Sequence, residues 1–163
     1  MKNSLGTQLR TLIELLDGAV GRAYQDAGLD YRPRYTPVMR VLLACEPCSI
    51  GEIAEAARIT QPAATQTVGL MLKQGLLVME SASDDARRRM IRLSPAGRAL
   101  VPALEVCWRA TAGAAASLDA ELPMPLLQLV NHALAALEEK PFERRIAEAR
   151  SRNEAENPIA TTP

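Results

Sequence analysis

Histidine, cysteine and aromatic residues are all scarce in this 163-residue chain, and neither sign of charge is in excess. With His132 the only histidine and Cys45-x-x-Cys48 the only C-x-x-C, neither a Ser/His/Asp set nor the paired ligand spacing of a zinc site within one chain is legible. Three cysteines, an odd number without secretory context, do not make a disulfide framework. No paired-carboxylate cleft is legible, and Gly18, Gly21 and Gly28 lack phosphate-loop spacing. Neither an enzyme nor a cofactor or metal is expected. Long apolar runs are missing as well. Residues 5–20 are interrupted by Arg10, Glu14 and Asp17, so no signal-peptide core forms. The uncharged run 122–137 holds Pro123, Pro125, Gln128, Asn131 and His132, and is too short and too polar for a bilayer span. A cytoplasmic chain with no membrane association is expected.

Lys and Arg number 19, as do Asp and Glu, so the formal net charge is zero. With 48% apolar and 23% charged residues, these are the proportions of an ordinary folded domain. The length suits one domain, since domains run to about 100–200 residues. The balance excludes a polybasic tail, an acidic solvating protein and a composition-driven disordered chain. Taken whole, it also argues against nucleic-acid binding by bulk charge. The distribution changes that reading. Residues 60–92 hold five basic side chains against three acidic ones, and residues 1–40 hold six against four. The remaining segments, 41–59 and 93–163, each carry a net charge of −2. A modest basic surface is therefore offset by acidic helices elsewhere.

Helical period dominates both ends. Leu5, Leu9, Leu12, Leu16, Val20 and Ala23 recur at three- and four-residue steps, and Gly28 ends this first helix. Thr36-Pro37 opens a second, short helix that runs to Ala44, before Pro47. Ser49-Ile50-Gly51-Glu52 reads as a capping box, followed by the apolar stripe Ile50, Ile53, Ala54 and Ala57, and this third helix ends near Arg58. Thr60 caps a fourth helix whose apolar face is Ala64, Val68, Met71 and Leu72, with Gly75 at its end. Two short helices this close form a helix-turn-helix pattern. The period then shifts toward 2. Residues 76–81 read as a strand, 83–86 as a turn and 87–93 as a returning strand. Ser94-Pro95 caps a long helix with Leu100, Leu104, Cys107, Thr111 and Ala115 on one side, which the prolines at 123 and 125 break. A last helix carries Leu127, Val130, Leu134 and Leu137 at coiled-coil spacing, Pro141 interrupts it, and 151–163 reads as a flexible polar tail.

The fold class expected is mostly α with a small β-hairpin wing (α+β), a winged helix-turn-helix set between helical arms. The order of elements and three segments carry a resemblance to a known family. TPVMRVLLA (36–44), SIGEIAEAARITQPAATQTVGLMLKQGLL (49–77) and DDARRRMIRLSPAG (84–97) are similar to the MarR family of winged helix-turn-helix transcriptional regulators. Most specific are ITQPAATQTV entering a helix that ends in KQGLL, and Asp85-x-Arg87 followed by LSPAG. The resemblance implies a single MarR-like domain over 1–150, with 5–28 and 95–150 as dimerisation arms and 36–94 as the DNA-binding region. One departure is Gly69-Leu70, where the family commonly has an acidic–basic pair.

Physics gives those residues a use. A helix in the major groove reads base edges with its first turns while its other face is buried. Placing the apolar face inward turns Pro62, Gln66, Gly69 and Lys73 outward, flanked by Ala63 and Thr65. Gln66 suits an adenine edge, Gln61 and Thr65 suit bases or phosphates, Ala63 a thymine methyl and Lys73 a phosphate. The plainer reading is a solvated polar face. Arg87, Arg88 and Arg89 cluster where a hairpin would return, a composition suited to the negative minor groove, with Asp85 bracing the wing as the resemblance implies. Their plainer reading is a charged edge strand. The resemblance further implies a homodimer on a pseudo-palindromic double-stranded DNA operator, acting as a repressor that answers a small phenolic or aromatic effector. It would place a pocket near Tyr31, Tyr35 and Arg40, whose alternative is linker packing and solvated charge. Cys45-Glu46-Pro47-Cys48 is a C-x-x-C, so a thiol-based redox sensor acting through Cys45 and Cys48 is the alternative function. A winged helix used only for protein contact is a third.

Overall fold

The computed structural model describes residues 4–81 and 89–156. Helix α1 (Leu5–Asp26) starts where the Ser4 hydroxyl accepts from the Thr7 amide at 3.2 Å, and stops at Gly28, whose φ of +72° is open to glycine at no steric cost. A 3₁₀ turn (Pro33–Tyr35) leads into α2 (Thr36–Cys45). Helix α3 (Ile50–Ala56) carries the expected capping box: Ser49 Oγ accepts from the Glu52 amide at 3.3 Å, and the Glu52 carboxylate accepts from the Ser49 amide at 2.7 Å. Arg58 takes a positive φ of 52° and turns the chain toward α4 (Gln61–Lys73), which Thr60 caps. Strands β1 (Leu77–Ser81) and β2 (Arg89–Leu93) pair antiparallel, Leu77 opposite Leu93 and Ser81 opposite Arg89. The expected turn at 83–86, like residues 87 and 88, lies outside the described residues.

Cys48 adds a one-residue bridge on β2. Its amide donates to the Ile91 carbonyl at 3.0 Å and its carbonyl accepts from the Ile91 amide at 2.7 Å. The intervening Glu46 carboxylate accepts from the Leu93 amide at 2.7 Å and pairs with Arg98. The α2–α3 loop therefore anchors the wing. The LSPAG segment is equally structural. Buried Ser94 donates to the Gly75 carbonyl at 2.6 Å and accepts from the Gly97 amide at 2.9 Å, starting α5 (Pro95–Ala120). A Cβ on Gly97 would stand 2.1 Å from the Leu76 carbonyl oxygen, so only glycine allows this approach.

Two compact units result, Met1–Thr111 and Ala112–Pro163, with the division falling inside α5, whereas the sequence reading takes 1–150 as one domain. The core of the first is built from Tyr24, Tyr35, Val38, Met39, Leu42, Ile53, Val68, Met71, Ile91 and Leu104, all fully buried. The α1 stripe does not share one fate. Val20 packs on the core, but Leu5, Leu9 and Leu16 stay 72%, 46% and 45% exposed.

In the second unit the Asp119 carboxylate accepts from the Leu126 amide at 2.9 Å and starts α6 (Leu126–Glu139), in which no residue is buried. Helix α7 (Phe142–Glu156) corrects the expected tail at 151: the chain is helical to Glu156. Pro141 reads as an interruption, yet its carbonyl accepts from the Arg145 amide at 3.3 Å, so it begins a helix instead. Arg145 fastens this helix through donations to the Ala136 carbonyl at 2.7 Å and the Lys140 carbonyl at 3.0 Å.

Candidate nucleic-acid interface

Helix α4 buries Ala64, Thr67, Val68 and Met71 against the first unit's core and leaves Leu72 half-buried. This corrects the expected inward face. Thr67 shares it, three residues after Ala64, while Leu72 sits at its edge. Gln61, Pro62, Thr65, Gln66, Gly69 and Lys73 are exposed and Ala63 is half-buried. Positions 62, 66, 69 and 73 fall on one side of the helix, as 3.6-residue periodicity requires. Thr65 Oγ donates to the Gln61 carbonyl at 2.9 Å, which turns its hydroxyl along the helix with lone pairs left to accept. Gln66 Oε1 accepts from the Arg34 guanidinium at 2.8 Å. Arg34 escapes the sequence reading as an interface residue, because it lies 32 positions from its partner. The one available signal is its place among Arg32, Arg34 and Arg40.

Of the wing residues, Asp85, Arg87 and Arg88 lie outside the described residues. Arg89 opens β2 and is exposed. Arg92 stands 3.5 Å from Glu80 across the hairpin, an exposed pair of the kind that adds little stability.

Tyr31 and Tyr35 are both buried, and the Tyr31 ring meets Tyr24 and Tyr35 edge-on, at centroid distances of 5.0 Å and 5.5 Å. Burial pushes the Tyr31 hydroxyl well above the usual tyrosine range, and beside Thr36 it makes no well-formed hydrogen bond. Trp108 donates to the Tyr24 hydroxyl at 3.0 Å, and the Arg40 guanidinium lies 5.0 Å from the Trp108 ring centre. Arg40 thus sits at the rim of an aromatic cluster rather than free in solvent.

The cysteines at 45 and 48 meet, with their sulfurs 3.6 Å apart. Cys45 is exposed at the end of α2, where its Sγ donates to the Val41 carbonyl at 3.3 Å. Cys48 is buried, its thiol donates to the Cys45 carbonyl, and burial pushes it up to about 11. A shallow groove lined by Cys45, Pro47, Cys48, Glu52, Glu55 and Ala56 opens beside them. Cys107 is buried in the core, while His132 is exposed on α6.

With this geometry in view, the MarR family pattern matches residues 28–88, which hold α2, α3, α4 and β1. Over that segment the chain is similar to the MarR family. MarR-family proteins are transcription regulators, not enzymes. The fold agrees over most of the chain. BpsR of Bordetella bronchiseptica, a protein whose DNA binding is regulated by 6-hydroxynicotinic acid, superposes with a TM-score of 0.63 at 18% identity, covering 86% of this chain and 96% of its own. The transcriptional regulator MOSR of M. tuberculosis, solved in complex with DNA, gives 0.63 at 22% identity, covering 90% and 98%. The repressor CouR, bound to a 23-mer DNA duplex, gives 0.62 at 18% identity, covering 83% and 92%. No curated protein matches the sequence. No helix among the described residues is long and apolar enough to cross a membrane.

Proposed function

We propose that this chain is a cytoplasmic, sequence-specific DNA-binding transcriptional regulator that works as a homodimer on a pseudo-palindromic operator. One observation carries the reading: the buried seam Ala64, Thr67, Val68 and Met71 holds α4 so that Gln61, Pro62, Thr65, Gln66 and Lys73 form one exposed polar side. That is the geometry of a helix presented to a major groove, with Ala63 at its edge for a thymine methyl. The hairpin adds Arg89, and by sequence Arg87 and Arg88 with Asp85, for the adjacent groove.

Support for the dimer comes from each unit separately. In the first, Leu5, Leu9, Ile13, Leu15 and Leu16 of α1 are exposed; in the second, Leu127, Leu129, Val130, Leu134 and Leu137 of α6 are. Apolar faces of this kind call for a partner, and a second copy covers both with the same surfaces. Two recognition helices would then lie about 34–36 Å apart, one DNA turn. The proposed mode is repression relieved by a small phenolic or aromatic effector. The Tyr31, Tyr35 and Arg40 cluster supports this, since its buried tyrosine hydroxyl is poorly bonded and a cation lies at its rim. Selection of genomic fragments at moderate salt tests the whole reading; failure to enrich any fragment contradicts it.

The thiol reading is favoured by the 3.6 Å separation of the Cys45 and Cys48 sulfurs. A hydroperoxide would take two electrons and two protons from the pair, leaving a disulfide, an alcohol and water. Thiol titration before and after treatment, with Cys45→Ser and Cys48→Ser, tests it. Two thiols lost in the parent chain and none by disulfide in the variants support it; an unchanged count refutes it.

A further inference from the structure

Helix α4 is tied to the segment ahead of α2 twice. Toward its start Arg34 donates to Gln66 Oε1 at 2.8 Å, and at its end Gln74 Nε2 donates to the Asp30 carbonyl. That segment is itself held from below, because Tyr31 and Tyr35 on either side of Arg34 are buried in the core. Arg34 therefore reaches Gln66 from a fixed backbone, although its own head is exposed.

The chemistry of the contact settles which way the amide faces. A guanidinium carries five N–H donors and no acceptor, so the Gln66 atom against it is the oxygen. The amide nitrogen, with both its hydrogens, is the atom left to engage a base. A glutamine with no such neighbour takes adenine bidentately: its oxygen accepts from N6–H while its nitrogen donates to N7. Here one lone pair of the oxygen is already taken by a cation, and the groups around its remaining lone pair are donors: the Gln66 N–H and the unused N–H donors of Arg34. An adenine N6 amino group would meet donors and positive charge. Guanine presents two acceptors, O6 and N7, on the same edge.

We infer that Arg34 is a specificity-determining residue that turns Gln66 from a reader of adenine into a reader of guanine. The inference rests on the proposal that α4 enters the major groove. Selection from a pool of duplexes with randomised positions, carried out with the parent chain, Arg34→Ala and Gln66→Ala, tests it. The parent chain should prefer guanine over adenine about tenfold at one position of each half-site, the discrimination that a well-made pair of contacts gives. Gln66→Ala should lose the preference at that position alone. Arg34→Ala should move it to adenine, with an unchanged melting temperature because Arg34 is exposed. The same preferred base in Arg34→Ala, with affinity lowered evenly across sequences, makes Arg34 a phosphate contact and overturns the inference. Adenine selected by the parent chain at the Gln66-dependent position overturns it too. A parent chain that enriches no sequence removes the DNA-binding reading itself, and this inference with it.

Discussion

Replacing Gly97 by alanine tests how the wing is joined to α5. The new Cβ would lie 2.1 Å from the Leu76 carbonyl oxygen and 3.1 Å from its carbonyl carbon, both backbone atoms with no rotamer to escape into. Reaching ordinary contact, at about 3.4 Å, needs a shift of about 1.3 Å, a backbone movement of the kind that overpacking forces at about 1–3 kcal/mol. The same carbonyl oxygen accepts from the Ser94 amide at 3.0 Å, so moving it away weakens a hydrogen bond that is worth about 0.5–1.5 kcal/mol. Alanine's better helix propensity returns about 1 kcal/mol. The balance is a loss of about 1–3 kcal/mol. Urea unfolding at fixed protein concentration should show a lower midpoint with an unchanged slope. A midpoint equal to that of the parent chain would refute the packing argument.

Three further outcomes follow from the same structure. Gly69→Ala should stabilise by about 1 kcal/mol in urea unfolding, the opposite sign to Gly97, since a Cβ there meets nothing within 4 Å in an exposed helix interior. Stability should fall as pH rises above about 9, because buried Cys48 holds its proton up to about 11 and Tyr31 beyond the usual tyrosine range. In the unfolded chain both groups lose their protons earlier, so alkali favours unfolding, and Cys48→Ala should flatten the fall between pH 9 and 11. If the proposed dimer forms through these faces, Leu9→Glu combined with Leu134→Glu should lower the sedimentation mass from that of two chains to that of one, as both side chains are exposed on apolar faces in a single copy; an unchanged mass would contradict that proposal.

Local signals in the sequence carried much of the fold. The Ser49–Glu52 capping box appears with both of its hydrogen bonds, because a cap depends on residues three apart. Ala64, Val68 and Met71 are legible as one face for the same reason, and Gly75 takes the left-handed φ of +74° expected past a helix end. What escaped depends on contacts between distant positions. The Cys48–Ile91 bridge spans the whole helix-turn-helix, and no pattern around Cys48 announces a strand. Arg34 and Gln66 are likewise brought together only when α4 packs beside the 3₁₀ turn. Helix α7 is strongly charged and follows a proline, so it lacks the apolar rhythm that marks α1 and α6. In the site, the α4 positions were readable from period alone. The burial of Tyr31 and Tyr35 was not, since a chain with so few aromatics gives them no stripe to belong to.

In the proposed function the exposed side of α4 reads duplex DNA. The most direct measurement of this compares the affinities of the parent chain and Gln66→Ala for one selected duplex and for a scrambled duplex of the same length and salt. The parent chain should prefer the selected duplex by about 10³-fold or more. Gln66→Ala should lose about 1–3 kcal/mol on that duplex and nothing on the scrambled one. Equal binding of both duplexes by the parent chain, or an equal loss on both in the variant, would contradict the account.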